Sequence, residues 1–425
     1  MREVAIYVHI PFCEYRCGYC DFCTVQLGIN RTNAKLNALV DDFKYILRAE
    51  LLQHSEILRN SSISSVFFGG GTPTILKAED ICFIIQEIDN ISSGILKGAE
   101  ITVETNPCIR FESRLDYLRT IKAGGVNRIS VGVQSFDNSV LRTLERSQKS
   151  HDVREICEEI KQLGMMVSLD LIYGTPTESL ESWETSVRAA VDLNPNHLSI
   201  YALTLDNTVR LAKQIKRGKL KHVDDDILAQ KYELADEILQ NSGYAWYEVS
   251  NWEKLTEKVG ENQSVHNLNY WKNGEYIGIG PSAHSSIRVN STLGEGNSTI
   301  SQKRFWNTSS VDEYVEQVRN LRTPVEEEEV LTLQEELYEK AMLTARLNVP
   351  IANCTHNALE KLISLGLINP SDLTPTLKGR LLNDEIIRIL VEYELQNTSF
   401  VHNLAKSCPK YNTSQCLSCP QCIME

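Results

Sequence analysis

The most reactive side chains of the sequence form a group of cysteines near the N-terminus. Cys13, Cys17 and Cys20 are separated by three and two residues and follow a short apolar segment. Three thiolates at this spacing can bind three irons of a four-iron cluster and leave the fourth iron open to an external ligand. The alternative is one zinc ion held by these three thiolates and Cys23. Closed zinc sites usually take two CxxC pairs from separate segments, so the spacing favours the cluster.

The composition restricts the function and the cellular compartment. The 425 residues carry a net charge of -13 and are 42% hydrophobic, which is typical of a globular protein and unfavourable for electrostatic binding of nucleic acid. No apolar segment is long enough to span a membrane, and the apolar N-terminal segment 4–12 lacks a cleavage site for secretion. We therefore expect a cytoplasmic protein whose 12 cysteines are not a disulfide framework.

Residues 4–206 alternate short β-branched segments with longer amphipathic ones, which predicts a parallel sheet with helical crossovers. Near-continuous apolar strands such as 65–68 indicate a sheet covered on both faces. Six such units predict an α/β fold of the partial (β/α)6 barrel type. The predicted strands are 4–10, 65–68, 100–105, 128–133, 166–173 and 197–203. The predicted helices are 34–57, 79–91, 114–123, 153–163 and 180–193.

The remainder of the chain has a different pattern and predicts a C-terminal α+β region. A helix over 225–242 precedes an aromatic, Gly- and Asn-rich stretch of short strands and long loops at 244–284. A helical segment follows over 311–347, and residues 352–390 resemble a small winged-helix-like cap with a short strand around Leu367. The predicted domains are 1–206, 207–310, 311–393 and a Cys-rich, loosely ordered tail at 394–425.

Polar residues follow or end several of the predicted barrel strands. Glycines at 69–71 can let the backbone approach a ligand closely, although a plain tight turn would also explain them. Glu104, Gln134 and Asp170 lie at or near the ends of otherwise apolar strands. Because catalytic and binding groups collect at that edge of a parallel barrel, their shared placement favours a binding site over separate capping roles.

Several motifs in series resemble the radical S-adenosylmethionine (SAM) family, in its coproporphyrinogen-oxidase-like branch. The resemblance covers about residues 4–390. The matching segments are YVHIPFC at 7–13, YCDF at 19–22, GGGTP at 69–73, VETNP at 103–107, NRISVGVQSF at 127–136 and DLIYG at 170–174.

The resemblance implies a [4Fe–4S] cluster on Cys13, Cys17 and Cys20 and reductive cleavage of SAM to a 5′-deoxyadenosyl radical. It also implies an electron donor such as flavodoxin or ferredoxin. Cys23 lies three residues past Cys20, where the coproporphyrinogen enzyme has a cysteine two residues past, and we expect it not to be a ligand. The sequence after Arg146 departs from the common family pattern. The SAM pocket implied by the resemblance comprises Tyr7, Tyr19, Gly70, Gly71, Thr72, Glu104, Gln134, Arg146, Asp170 and Thr204.

The second half of the chain resembles the HemW branch of this family, whose members are regarded as haem chaperones. The matching segments are HNLNYW at 266–271 and YIGIGPSAH at 276–284. The resemblance implies that haem is bound, with His266 as a candidate iron ligand, and passed to an acceptor protein, for which a respiratory, membrane-associated protein is a candidate. The alternative is that His266 and Trp271 belong to a buried, hydrogen-bonded loop that supports the barrel.

Two classes of function therefore stay open. The leading hypothesis is a haem-binding and delivery protein, and the rival is a radical SAM enzyme: an oxygen-independent coproporphyrinogen III oxidase or a related radical methyltransferase. Only six residues precede Tyr7, whereas the coproporphyrinogen-dehydrogenating relatives carry an N-terminal arm over the substrate site. We therefore expect no coproporphyrinogen III oxidase activity.

A second group of cysteines lies close to the C-terminus. Cys408, Cys416, Cys419 and Cys422 can hold zinc, a second cluster or haem, or they are incidental thiols of a flexible tail. The four cysteines between the two groups, Cys82, Cys108, Cys157 and Cys354, are expected to be small buried apolar residues.

Overall fold

The computed structural model describes residues 2–28, 30–108, 113–292, 298–352 and 354–395. The C-terminal cysteines lie outside these residues. No helix of the described part is long and apolar enough to cross a membrane. The strands are β1 Arg2–Ile10, β2 Phe12–Cys13, β3 Val25–Gln26, β4 Ser61–Gly70, β5 Ile95–Thr105, β6 Arg128–Gln134, β7 Met166–Tyr173, β8 His197–Ala202, β9 Tyr244–Glu248, β10 Asn251–Lys254, β11 Tyr276–Ile279, β12 His284–Thr292, β13 Ser298–Asn307 and β14 Val325–Val330. The helices are α1 Ala34–Gln53, α2 Ser55–Leu58, α3 Ala78–Ile91, α4 Arg114–Ala123, α5 Asn138–Thr143, α6 Ser150–Gln162, α7 Leu180–Asp192, α8 Arg210–Lys216, α9 Asp225–Asn241, α10 Val265–Trp271, α11 Val311–Arg319, α12 Leu333–Thr344, α13 His356–Ser364, α14 Leu377–Leu381 and α15 Asn383–Leu395.

The six predicted barrel strands are confirmed as neighbouring parallel strands of one sheet, in the order β1, β4, β5, β6, β7, β8. On the other side of β1 lies β11, which is also parallel and which extends the sheet into β12, β13 and β14. At the far end the antiparallel strands β10 and β9 follow β8. The sheet ends at β14 and β9, so the described strands form a partial barrel.

The two faces of the barrel sheet differ in polarity, although we predicted apolar strands covered on both faces. In β5, Ile101 and Val103 belong to the apolar core, whereas Glu100 and Thr102, also buried, alternate with them and face the barrel interior. Successive side chains of a strand point to opposite faces, so a polar interior and an apolar exterior alternate within one strand. The helices pack on the apolar side, and the polar side is free to line cavities.

The prediction of one helical segment over 311–347 was wrong in the middle of that segment. Strand β14 separates α11 from α12 and pairs with β13 in antiparallel register. Its glutamates face basic side chains on β13: Glu328 forms an ion pair with Lys303, and Glu329 with Arg304. Cross-strand pairs of opposite charge stabilise a strand that the sequence pattern alone would assign to a helix.

Helices α12, α13 and α15 contribute to a second hydrophobic cluster, which includes Ala358, Leu362 and Ile386, whereas Leu377 and Leu381 of α14 pack against the barrel core. The short strand expected around Leu367 is a single antiparallel bridge between Ile368 and Pro375. The winged-helix-like character of this cap, and the predicted domain boundaries, stay predictions.

Candidate functional site

The three N-terminal cysteines converge on one cavity at the carboxyl end of the parallel strands. Cys13 ends β2, and Cys17 and Cys20 lie in the loop that follows. The loop is closed at its base because β3 pairs with β2 and Leu27 N donates to the Cys13 carbonyl at 2.8 Å. All three cysteines line a cavity of about 260 Å³.

The surroundings of the sulfurs suit ligands of a positively charged group. Burial raises the pKa of the Cys13 thiol to about 12, so a thiolate at this position needs a bound cation. Thr72 Oγ1 donates to Cys13 Sγ at 3.7 Å, and Arg146 Nη1 donates to Cys17 Sγ at 3.6 Å. Hydrogen bonds of this kind tune sulfur ligands of iron–sulfur clusters.

The zinc site that we considered would need Cys23 as its fourth ligand. In the described part of the chain, no three His, Cys, Asp or Glu side chains are placed to share a single metal ion. Cys23 Sγ donates to the Ser309 carbonyl at 3.0 Å and lines a different cavity. Cys13, Cys17 and Cys20 share one cavity that Cys23 does not line, and this placement fits the three cluster ligands that we predicted.

Most residues of the predicted SAM pocket line the same cavity as the cysteines. Tyr7 and Thr204 do not: Tyr7 lines a neighbouring cavity, and Thr204 is exposed beyond β8. Those in the cysteine cavity are Tyr19, Gly70, Gly71, Thr72, Glu104, Gln134, Arg146 and Asp170.

The glycine segment, residues 69–71, crosses directly over the cysteine loop, residues 13–20. Gly71 N donates to the Ile10 carbonyl at 2.8 Å, and a Cβ on Gly71 would lie 2.6 Å from the carbonyl oxygen of Phe12. Gly70 has a φ of +99°, and a Cβ there would lie 2.4 Å from the His9 ring. Only glycine fits this crossing without displacing its neighbours, and the result is bare backbone at the cavity wall.

Two half-buried carboxyl groups, Glu104 on β5 and Asp170 on β7, line the cavity. Burial, together with the charge of Asp170, raises the pKa of Glu104 to about 8. Burial also raises the pKa of Asp170 to about 6, while Ser130 Oγ donates to both of its carboxyl oxygens at 2.9 and 3.0 Å. These groups can accept hydrogen bonds from an ammonium or from hydroxyl groups, and a bound ammonium would favour the ionised form of Glu104.

Arg146 holds the far wall of this cavity. Its Nη2 atom donates to the Gly132 carbonyl at 2.5 Å, and its Nε atom donates to Gln148 Oε1 at 3.0 Å. Gln134, at the end of β6, has a φ of +65°, which turns the chain out of the strand at the cavity edge. The guanidinium is therefore fixed beside Cys17 by two further contacts.

Asn106 and Tyr201 are among the residues of this cavity that we did not predict from the sequence. Asn106 Nδ2 donates to Thr72 Oγ1 at 3.1 Å and so links β5 to the glycine segment. Tyr201 lies on β8 at the same parity as His197 and Ser199, and all three face the barrel interior. Strand parity could have found Tyr201, because inward-facing residues recur at every second position.

A second, larger cavity of about 490 Å³ adjoins the first. The two cavities have Phe22, Gly70 and Glu104 in common. The other residues that line the larger cavity are Tyr7, His9, Asp21, Cys23, Tyr270, Tyr276, Ser282 and His284. Its walls are therefore rich in tyrosine and histidine side chains.

His266, the predicted haem ligand, lies away from both cavities and has both ring nitrogens engaged. Nδ1 is 2.9 Å from Ser65 Oγ, and Nε2 is 2.9 Å from the Tyr270 hydroxyl. The ring stacks on Phe67, and burial lowers its pKa to about 3. This geometry matches the alternative of a buried, hydrogen-bonded segment that supports the barrel.

Comparison with known proteins identifies the family. The model of the radical SAM superfamily matches residues 7–190. A curated protein of Mycobacterium tuberculosis named heme chaperone HemW is 35% identical over 399 residues, which span 92% of this chain and 95% of that protein. The chain belongs to the HemW family of radical SAM proteins. The heme chaperone HemW of Buchnera aphidicola from Acyrthosiphon pisum is 32% identical over 89% of this chain and 95% of its own length.

A solved structure supports the fold of this HemW-family chain. Coproporphyrinogen III oxidase (HemN) from Escherichia coli, a radical SAM enzyme, aligns with a TM-score of 0.72 over 92% of this chain and 90% of its own. The sequence identity is 22%, so the likeness concerns the fold. It confirms the predicted radical SAM type of barrel.

Proposed function

We propose that this protein is a haem chaperone that binds haem and passes it to an acceptor protein. In this proposal it carries a [4Fe–4S] cluster on Cys13, Cys17 and Cys20 together with exchangeable SAM. The curated relatives that span nearly the whole chain are named heme chaperones. The observation that carries the proposal is the tyrosine- and histidine-lined cavity of about 490 Å³ beside the cysteine cavity.

The residues of the cysteine cavity fit the cluster and SAM. When bound, the cluster supplies an open iron and an electron for a sulfonium. The bare backbone of Gly70 and Gly71 lets the methionine end approach the cysteine loop closely. In this proposal the Glu104 carboxylate pairs with the methionine ammonium, and Asp170 accepts hydrogen bonds from ribose hydroxyls; both residues line the cysteine cavity.

The larger cavity fits a flat, mostly apolar ligand with a metal at its centre. Tyr270 and Tyr276 form an edge-to-face pair with ring centroids 4.7 Å apart in its wall. Aromatic walls of this kind pack on a porphyrin ring, and imidazole is a common ligand of its iron. Phe22, 58% exposed, lies at the boundary of both cavities, where an apolar side chain can contact a ligand that enters or leaves.

The partners follow from the same proposal. Release of haem requires an acceptor, for which a respiratory, membrane-associated haem protein is our candidate. Reduction of the cluster requires an electron donor such as flavodoxin or ferredoxin. We place the protein in the cytoplasm, where the thiols of Cys13, Cys17 and Cys20 stay reduced before cluster assembly.

The test is an anaerobic titration of the cluster-reconstituted protein with hemin, followed by mixing with apomyoglobin. We expect a Soret band that saturates at one equivalent and then shifts to that of myoglobin as haem is transferred. Failure to bind hemin would overturn the proposal. A parallel incubation with SAM, a reductant and coproporphyrinogen III should yield no product; SAM-dependent conversion or methylation would establish the enzyme alternative instead.

A further inference from the structure

We propose that His284 is an axial ligand of the haem iron, and that His266 is not. This inference rests on the proposed haem-binding function and assigns the ligand within it. Both histidines belong to the segments that resemble the HemW branch, but the structure places them differently. His284 lines the larger cavity, whereas His266 lies behind its wall, bonded to Ser65 and Tyr270.

The ring of His284 is available for coordination. No hydrogen bond joins either of its ring nitrogens to another described residue, and the side chain is exposed to solvent. The ring stacks on Trp306, with centroids 5.5 Å apart and an interplanar angle of 23°. Partial burial lowers the pKa of His284, which favours the neutral imidazole that binds iron.

Three other possible ligands of this cavity, His9, Cys23 and Tyr270, are already engaged. His9 Nδ1 is 3.1 Å from the Tyr7 hydroxyl, and His9 Nε2 is 2.8 Å from the Cys23 carbonyl. Cys23 Sγ donates to the Ser309 carbonyl, and the Tyr270 hydroxyl is bonded to His266. Iron binding at His9, Cys23 or Tyr270 would break a hydrogen bond, whereas binding at His284 would break none with the described residues.

The backbone that carries His284 is held rigidly. Buried Glu50 accepts a hydrogen bond from Gly280 N at 2.8 Å, and Asn307 Nδ2 donates to the Gly280 carbonyl at 2.8 Å. Asn307 N donates to the Ala283 carbonyl at 3.0 Å, directly before His284. A Cβ on Gly278 would lie 2.2 Å from the His284 carbonyl oxygen, so glycine is needed for β11 to pass this close. A ligand fixed in this way loses little conformational entropy when it binds iron.

The experiment compares hemin binding by His284→Ala, His284→Phe and wild-type protein, by absorption and electron paramagnetic resonance. His284→Phe keeps a ring to stack on Trp306 but has no nitrogen. We expect both variants to lose the wild-type spectrum and to bind hemin at least tenfold more weakly. Added imidazole should restore the spectrum in His284→Ala, where the ring has been removed, but not in His284→Phe, where the space is filled.

The outcomes separate this inference from the proposed function. An unchanged spectrum in His284→Ala, or a lost spectrum that imidazole does not restore, would overturn the assignment to His284. Wild-type protein that binds no hemin would instead overturn the proposed function itself. Cys23→Ala is the matched control from the same cavity and should keep the wild-type spectrum; loss of that spectrum in Cys23→Ala with retention in His284→Ala would assign the ligand to Cys23.

Discussion

The guanidinium of Arg146 lies 3.6 Å from the sulfur of Cys17, although 129 positions separate the two residues in the sequence. Because Arg146 also donates to the Gly132 carbonyl and to Gln148, its charge cannot easily turn away from the sulfur. A fixed positive charge next to a cluster ligand stabilises the more negative, reduced state of the cluster.

We therefore expect Arg146→Gln to make the reduction potential of the cluster more negative by tens of millivolts. The measurement is an anaerobic redox titration followed by electron paramagnetic resonance, with circular dichroism to verify the fold. A potential equal to that of the wild-type protein would show that Arg146 has no electrostatic effect on the cluster.

Replacement of single cysteines should distinguish the ligand set. Cys13→Ala, Cys17→Ala and Cys20→Ala should each lose most of the iron and sulfide found in the reconstituted wild-type protein. Cys23→Ala should retain them, because the Cys23 thiol is bonded to the Ser309 carbonyl and lines the other cavity. An equal loss of iron and sulfide in all four variants would show instead that Cys23 is a fourth ligand.

The affinity for SAM should depend on pH through Glu104. The pKa of this carboxyl is raised to about 8, so its ionised fraction grows as the pH rises towards that value. A bound ammonium needs the ionised form, and we expect the affinity to rise roughly tenfold from about pH 6.5 to about pH 8. Calorimetric titration of the reconstituted protein with SAM at several pH values measures this affinity. Glu104→Gln should bind SAM more weakly with no such slope; a slope retained in this variant would assign the titration to another group.

The glycine segment should tolerate no side chain at Gly71. A methyl group there would meet the carbonyl oxygens of Phe12 and Ile10 at 2.6 and 2.7 Å, so Gly71→Ala must displace the cysteine loop. We expect at least a tenfold loss of SAM affinity. The control is Gly98→Ala, which has a φ of +84° but meets no atom within 4 Å, and should cost about 1 kcal/mol of stability without loss of affinity. Equal SAM affinity in both variants would show that a side chain at Gly71 does not disturb the SAM site.

Buried Glu50 should make the stability of the protein depend on pH. Burial raises its pKa to about 7, above the ordinary glutamate value, so the folded state binds more protons than the unfolded state between about pH 4.5 and pH 7. The contribution of Glu50 to the free energy of unfolding therefore falls as the pH rises through this window, by about 3 kcal/mol in total. Urea denaturation at several pH values of wild-type protein and Glu50→Gln measures the difference. The variant should lack this part of the pH dependence, and an identical profile would show that another group is responsible.

Local sequence patterns were sufficient for the parallel strands and for the residues at their ends. Apolar segments separated by amphipathic helices specify β1 and β4 to β8, and residues such as Glu104 and Asp170 then meet at one edge of the sheet. The family resemblance added the prediction that the cysteine and glycine segments hold a [4Fe–4S] cluster and SAM.

Contacts between segments that are distant in the sequence could not be predicted from local sequence patterns. The pairing of β11 with β1 joins residues about 270 positions apart, and the larger cavity exists only because of that pairing. The sequence placed His266 and His284 in equally suggestive motifs. Only the packing shows that one ring is enclosed by Ser65 and Tyr270 and that the other borders open space.

Glu104 borders both cavities, and this has a thermodynamic consequence. A positive group bound on one side draws a proton off the carboxyl and so changes the charge that a ligand on the other side encounters. Binding of a ligand in one cavity then changes the affinity for a ligand in the other. The coupling free energy between the two binding events must be equal in both directions. If SAM weakens or strengthens the affinity for haem, haem changes the affinity for SAM by the same factor.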